Sequence, residues 1–189
     1  MDTARFSRRS FLQGGLGALT LAVTSKGLIT TVWAAETAAR KYGADSMPGG
    51  TVDDPLVFVS IAADGTVTIV AHRAEMGTGV RTSLPMVVAD EMEARWDRVK
   101  VIQAPADEAR YGNQNVDGSR SVRHFLMPMR RAGAAARQML EAAAAARWAV
   151  PVAEVKAVQH EVLHLPSGRR LAYGELAADA ARQPVPKGE

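Results

Sequence analysis

Two short glycine-bearing runs hold the residues most able to do chemistry. The first, Glu75-Met-Gly-Thr-Gly79, stands between a β-branched run and a helical pattern. Two glycines one residue apart let the backbone approach a flat or anionic ligand closely, and a helix start just beyond offers unpaired N–H groups and a partial positive charge. It is not the dinucleotide fingerprint, which needs a third glycine where Thr82 stands. A glycine turn of purely structural purpose explains the same residues. The second run, Gly118-Ser-Arg-Ser121, sets two hydroxyls and a guanidinium at another helix start. Hydroxyl caps account for Ser119 or Ser121. The added Arg120 has a fork that suits phosphate, and on spacing alone an anion site and plain capping are equally open.

Other candidates are weaker. His72, His124, His160 and His164 lack metal-ligand spacing; His160 and His164 fall on one face of a strand and read as structural or solvent-facing. Arg120, Arg123, Arg130 and Arg137 line one side of a long helical stretch, as a solvated or subunit-facing surface would. Neither a Ser-His-Asp arrangement nor a carboxylate pair stands out, so hydrolase chemistry has no support.

These runs need elements to position them. Leu56–Ile61 and Thr66–His72 are β-branched, and the intervening Ala63-Asp64-Gly65 predicts a hairpin because Asp and Gly tolerate positive φ. A helix is predicted over 80–94, with Val80, Leu84, Val87 and Val88 on one face and Pro85 in its early turns. A third strand follows at 99–103, then a polar loop over 104–118 whose length suggests function. The long helix runs from 119 to 149, kinked or started at Pro128. Its buried stripe is Val122, Phe125, Leu126, Met129, Ala136, Met139, Leu140 and Ala143. Short strands over 156–161, 162–165 and 169–172 and a helix over 174–182 complete an α+β fold, a small mixed or antiparallel sheet packed by helices.

The chain has 189 residues, 47% hydrophobic, with no cysteine, which excludes thiolate metal sites, iron–sulfur ligation and cysteine nucleophiles within it. Its formal charge of +3 is concentrated at the start: four of 23 basic residues (Arg5, Arg8, Arg9, Lys26) but one of 20 acidic residues (Asp2) lie within 1–34, so the remainder is formally neutral. Nothing then points to nucleic acid. Residues 1–35 have a basic head, an apolar middle and small residues at Ala34-Ala35, the pattern of an export signal. Ser7-Arg-Arg-Ser-Phe-Leu12 matches the twin-arginine address. Lys26 and the diluting Gly and Thr residues argue against a spanning helix. The expected location is the periplasm, free or tethered to the membrane. Residues 36–54 read as a linker or arm, 55–183 as the folded domain, and 184–189 as an open, truncated linker.

Taken together, Glu75–Glu91, Tyr111-Gly-Asn113, Gly118–Val122, Arg130–Arg137, Trp148–Pro151 and Pro166–Leu176 resemble the N-terminal part of isoquinoline 1-oxidoreductase beta subunits. These are large subunits of molybdenum hydroxylases in the xanthine dehydrogenase and aldehyde oxidase superfamily. The resemblance implies that the folded region is part of a molybdopterin-binding domain. It implies pterin contacts at Met76, Gly77, Thr78 and Gly79, and contacts near the metal and the cofactor phosphates at Gly118, Ser119, Arg120 and Ser121. Thr78 stands where the family commonly has Gln, which removes an amide contact but not the backbone one. The implied cofactor is a molybdopterin dinucleotide, in the cytosine form, carrying molybdenum. The implied partners are the rest of the large subunit, a small subunit carrying the iron–sulfur clusters and a cytochrome c acceptor. The reaction is oxidation of an N-heteroaromatic or aldehyde substrate.

The family's catalytic glutamate lies near the C-terminus of much longer subunits and has no counterpart here, so the chain alone is expected to be inactive. Two rival readings are a stand-alone exported pterin- or nucleotide-binding module and a non-functional gene fragment.

Overall fold

The computed structural model describes residues 19–23, 29–33 and 49–186. The twin-arginine residues, most of the signal segment, residues 36–48 and the last three residues lie outside the described part. The chain divides into two units, residues 1–40 and 41–189. In the first, β1 (Leu19–Val23) pairs antiparallel with β2 (Ile29–Trp33), Leu19 opposite Trp33.

The second unit opens with a departure from expectation. Leu56–Ile61 is not one strand: Pro55–Phe58 forms a helical turn, α1, and only Val59–Ile61 is extended as β3. The cause is local. The Asp54 carboxylate accepts from Leu56 N–H at 2.9 Å and Pro55, with its preset φ, occupies the first helical position. β-branched propensity loses to a cap it does not register. The hairpin to β4 (Val67–Ala71) forms as expected, with Asp64 Oδ1 accepting from Thr66 N–H at 2.8 Å.

After β4 the chain crosses through α2 (Val80–Glu91) to β5 (Val99–Gln103), which lies parallel to β4 with Val67 opposite Val99. A parallel pair requires such a crossover, and the sheet, in the order β3-β4-β5, is therefore mixed. The 104–118 loop is not wholly irregular. It contains the short α3 (Glu108–Tyr111), capped by Asp107, whose carboxylate accepts from Arg110 N–H at 3.1 Å.

α4 (Arg120–Trp148) runs 29 residues through Pro128, about 44 Å, and packs against α2 on one side and the second sheet on the other. Phe125, Met129, Ala136, Met139, Leu140 and Ala143 are buried as expected, but Val122 is 46% and Leu126 38% exposed. Ser121, Phe125 and Pro128 carry the buried face instead, one position round the helix. Arg130 leaves this helix to pair with Glu91 at 2.5 Å.

The second sheet is an antiparallel meander of β6 (Val155–Val158), β7 (Glu161–His164) and β8 (Arg170–Ala172), followed by α5 (Tyr173–Ala180). One core unites the two sheets and α4, through Val67, Ile69, Leu84, Val88, Phe125, Leu140, Val162, Tyr173 and Leu176. Val52, within the segment read as an arm, and Val185, within the segment read as a linker, pack on that core.

Candidate functional site

β4 alternates. Val67, Ile69 and Ala71 point inward and the intervening residues are half-buried. Two residues further in the same phase, Arg73 is 1% exposed. A charged side chain just past the end of a buried apolar strand is a signal that the sequence carries and that the motif reading passed over.

The Arg73 guanidinium makes four hydrogen bonds. Its Nε donates to Ser121 Oγ at 3.1 Å, one Nη donates to Asn113 Oδ1 at 2.8 Å and to the Asn113 carbonyl, and the other donates to the Asn115 carbonyl. The Phe125 ring lies 4.7 Å beneath it. All these acceptors are neutral. Burial pushes its pKa below the usual arginine value, and Asp117 and Glu108 at longer range offset part of that.

This side chain links the two stretches of chain, because Arg73 stands two residues before the first run and bonds Ser121 of the second. The first run is an exposed turn: Met76 is 71% exposed, Gly77 and Gly79 have φ of +91° and +75°, and a Cβ on either would meet nothing within 4 Å. Backbone here is open to a close-lying ligand. The expected unpaired N–H groups at the start of α2 are not free, however. The Glu75 carboxylate accepts from Gly79 N–H at 3.0 Å, Arg81 N–H at 3.1 Å and the Thr78 hydroxyl at 3.4 Å. These bonds, that from Arg81 N–H foremost, hold the Glu75 carboxyl down at about 2. The chain's own anion caps this helix, and Thr78 is occupied with the turn.

The second run also differs from simple capping. Ser119 precedes α4 with φ of +56° and makes no side-chain cap, and Ser121 accepts from Arg73 instead. Arg120 lies 3.6 Å from Asp117 Oδ1, so its charge has a local partner. Gly118 and Ser119 are exposed.

The loop leading to this run is tightly fixed. Gly112 adopts φ +74°, ψ −163°, where a Cβ would stand 2.9 Å from the Gly50 carbonyl, and that carbonyl accepts from Asn113 N–H at 2.9 Å. Gln114 donates to the carbonyls of His72 at 3.1 Å and Pro105 at 2.9 Å.

His72, His160 and His164 are structural. His164 bonds Ser167 and Glu154, and His160 bonds the Gly65 carbonyl and accepts from Arg95 N–H. His72 is 1% exposed, wedged 5.1 Å from the Phe58 ring and 4.5 Å from that of Phe125, and its Nε2 has no partner. Burial first, then the Arg73 charge, pushes it down to about 3. Above pH 6.5 it is neutral whether folded or unfolded. Below that the unfolded chain takes the proton first, and stability falls by about 1.4 kcal/mol per pH unit. Relative to pH 7, about 2 kcal/mol is lost through this residue by pH 5. His160, also lowered by burial, adds in the same direction, so the measurement is a difference. In urea titrations at pH 7 and 5, His72→Leu should flatten the loss; an unchanged slope would contradict this assignment.

Among the described residues no group of three or more His, Cys, Asp or Glu could hold a metal ion, and no helix is long and apolar enough to cross a membrane. A groove of about 250 Å³ lined by Gly65, Arg95, Arg98, His160 and Glu175 lies at the start of β4, opposite the glycine turn.

Residues 21–188 match the family model described as molybdopterin cofactor-binding domain. The chain is 39% identical over 183 residues to the isoquinoline 1-oxidoreductase subunit beta of Brevundimonas diminuta, a match covering 94% of this chain and 22% of that protein. It is 32% identical to the membrane-bound aldehyde dehydrogenase [pyrroloquinoline-quinone] of Gluconacetobacter polyoxogenes, with the same two coverages. Quinoline 2-oxidoreductase from Pseudomonas putida 86 shares the fold with a TM-score of 0.52 at 20% identity, over 67% of this chain and 16% of that one. A Cu,Mo-CO dehydrogenase does so with a TM-score of 0.54, also at 20% identity, over 63% and 15%. The chain thus spans 22% of the length of the first two curated relatives.

Proposed function

The chain belongs to the molybdopterin cofactor-binding domain family, and on that premise we propose that it forms part of the cofactor site of an exported molybdenum hydroxylase large subunit. The observation that carries the reading is the bare glycine turn at 76–79 joined through Arg73 to the start of α4. With Glu75 occupying the N–H groups of Gly79 and Arg81, Met76–Gly79 offers close backbone approach, suited to the flat pterin. The cationic Arg73 and Arg120 beside Gly118–Ser121 suit its phosphates, as part of a dinucleotide in the cytosine form. Bound there, the cofactor supplies a molybdenum centre for oxidising an N-heteroaromatic or aldehyde carbon.

This chain's residues bind and orient, and the remainder of a large subunit builds the substrate pocket. Electrons leave through an iron–sulfur subunit toward a cytochrome c, consistent with a sequence free of cysteine. The twin-arginine address places the assembly in the periplasm, soluble or tethered, loaded before export.

Gly77→Val tests the turn. Its Cβ branch would fill the approach path, and valine resists a φ of +91°. Molybdenum content of the assembled protein is expected to drop by about tenfold, equivalent to about 1.4 kcal/mol of binding, with circular dichroism unchanged; undiminished molybdenum would refute the role. Stoichiometric molybdenum and pterin in the isolated chain would instead make it a complete site and favour a stand-alone binding module.

A further inference from the structure

We propose that Arg73 is the positioning residue of this site: its buried guanidinium clamps residues 113–115 and the start of α4 to the strand that emits the glycine turn, and leaves there a positive charge that favours a phosphate-bearing ligand. The inference rests on the cofactor reading of this face and assigns a role to a residue outside both glycine runs.

The clamp is a matter of geometry. A guanidinium presents five donors in a fixed plane, and Arg73 directs them to acceptors 40, 42 and 48 residues away in sequence, on Asn113, Asn115 and Ser121. Gln114 adds one further tie from this loop, to the His72 carbonyl at 3.1 Å. Phe125 closes its face, and Gly112 leaves the 113–115 loop no slack against Gly50.

The charge is a separate matter. Hydrogen bonds to carbonyls and a hydroxyl satisfy donors without neutralising a cation. Among the described residues no carboxylate forms an ion pair with Arg73; Asp117, which itself stands against Arg120, and Glu108 act on it only at longer range. A buried cation left with neutral partners keeps its field for whatever binds above it. Lysine would retain that field and lose the fork, whereas methionine would lose both.

The experiment uses the full chain as wild type, Arg73→Lys and Arg73→Met, with inorganic pyrophosphate as the probe. In R73K, amide exchange over 113–121 is expected to accelerate about tenfold or more while β6–β8 is unchanged. Pyrophosphate affinity is expected to stay within about threefold of wild type in R73K and to fall about tenfold or more in R73M. Unchanged exchange over 113–121, or an equal rise across β6–β8, overturns the clamp and leaves only bulk stability. Equal pyrophosphate affinity in R73M and wild type overturns the electrostatic part. Should the unmodified chain not bind pyrophosphate, the cofactor reading fails with the electrostatic part, and the exchange difference still decides the clamp by itself.

Discussion

Phe125→Ala is expected to destabilise the folded unit by about 3–5 kcal/mol, the range for removing a fully buried aromatic ring. Phe125 is completely buried. Its ring packs 4.5 Å from His72 and lies under the Arg73 guanidinium, so its removal leaves a cavity beside the two most constrained polar groups of the structure. The surroundings cannot collapse freely into that cavity. β4 is held by neighbours on both edges, and the Arg73 bonds fix the facing loop. Water entering would reach the unpartnered His72 Nε2. The variant should therefore also show a shallower acid dependence between pH 7 and 5 than wild type. Urea unfolding at both pH values checks this. A loss under about 1 kcal/mol would mean that the site repacks and that the ring does not support the clamp.

Gly133→Val is expected to cost about 3 kcal/mol by forcing α2 and α4 apart. Gly133 lies mid-helix, where any residue with a Cβ improves helix propensity; for alanine the gain is about 1 kcal/mol. Against that, a Cβ here would stand 2.6 Å from the Val88 carbonyl oxygen and 2.8 Å from Glu91 Cβ. The first is backbone in the middle of α2 and cannot swing away. Overpacking of this kind costs about 1–3 kcal/mol, and a branched Cβ falls at the upper end. The displacement would also strain the Arg130–Glu91 pair and move the helix that begins at the glycine turn. The urea midpoint should drop with little change in the slope. A midpoint at or above the wild-type value would show that the contact is looser than the structure has it.

Local rules predicted the hairpin correctly because Asp64 and Gly65 act on their immediate neighbours. They failed at Leu56–Ile61, where three β-branched residues outweighed, on paper, a cap formed by Asp54 and Pro55. They located the long helix but set its buried face one position off at Val122 and Leu126. A 3.6-residue period allows neighbouring faces there, and the choice rests with α1 and α2, against which the helix packs. In the candidate site the glycines were visible because a turn between strand and helix is written in residue types. Arg73 was legible only as a charged residue two positions past the strand's last apolar residue.

The sequence by itself determined the hairpin, the two long helices, the two glycine runs and the family, since each depends on short-range patterns of residue type. Only the tertiary structure decided that Glu75 takes the N–H groups of Gly79 and Arg81, that Ser121 accepts from Arg73 rather than capping a helix, and that Arg73 bonds the loop at Asn113 and Asn115. The physical reason is common to all three. A buried or capping polar group takes whichever partner the packed chain brings within about 3 Å, and proximity between residues 40 or more positions apart arises from the packing of strands, loop and helix, which no local spacing records.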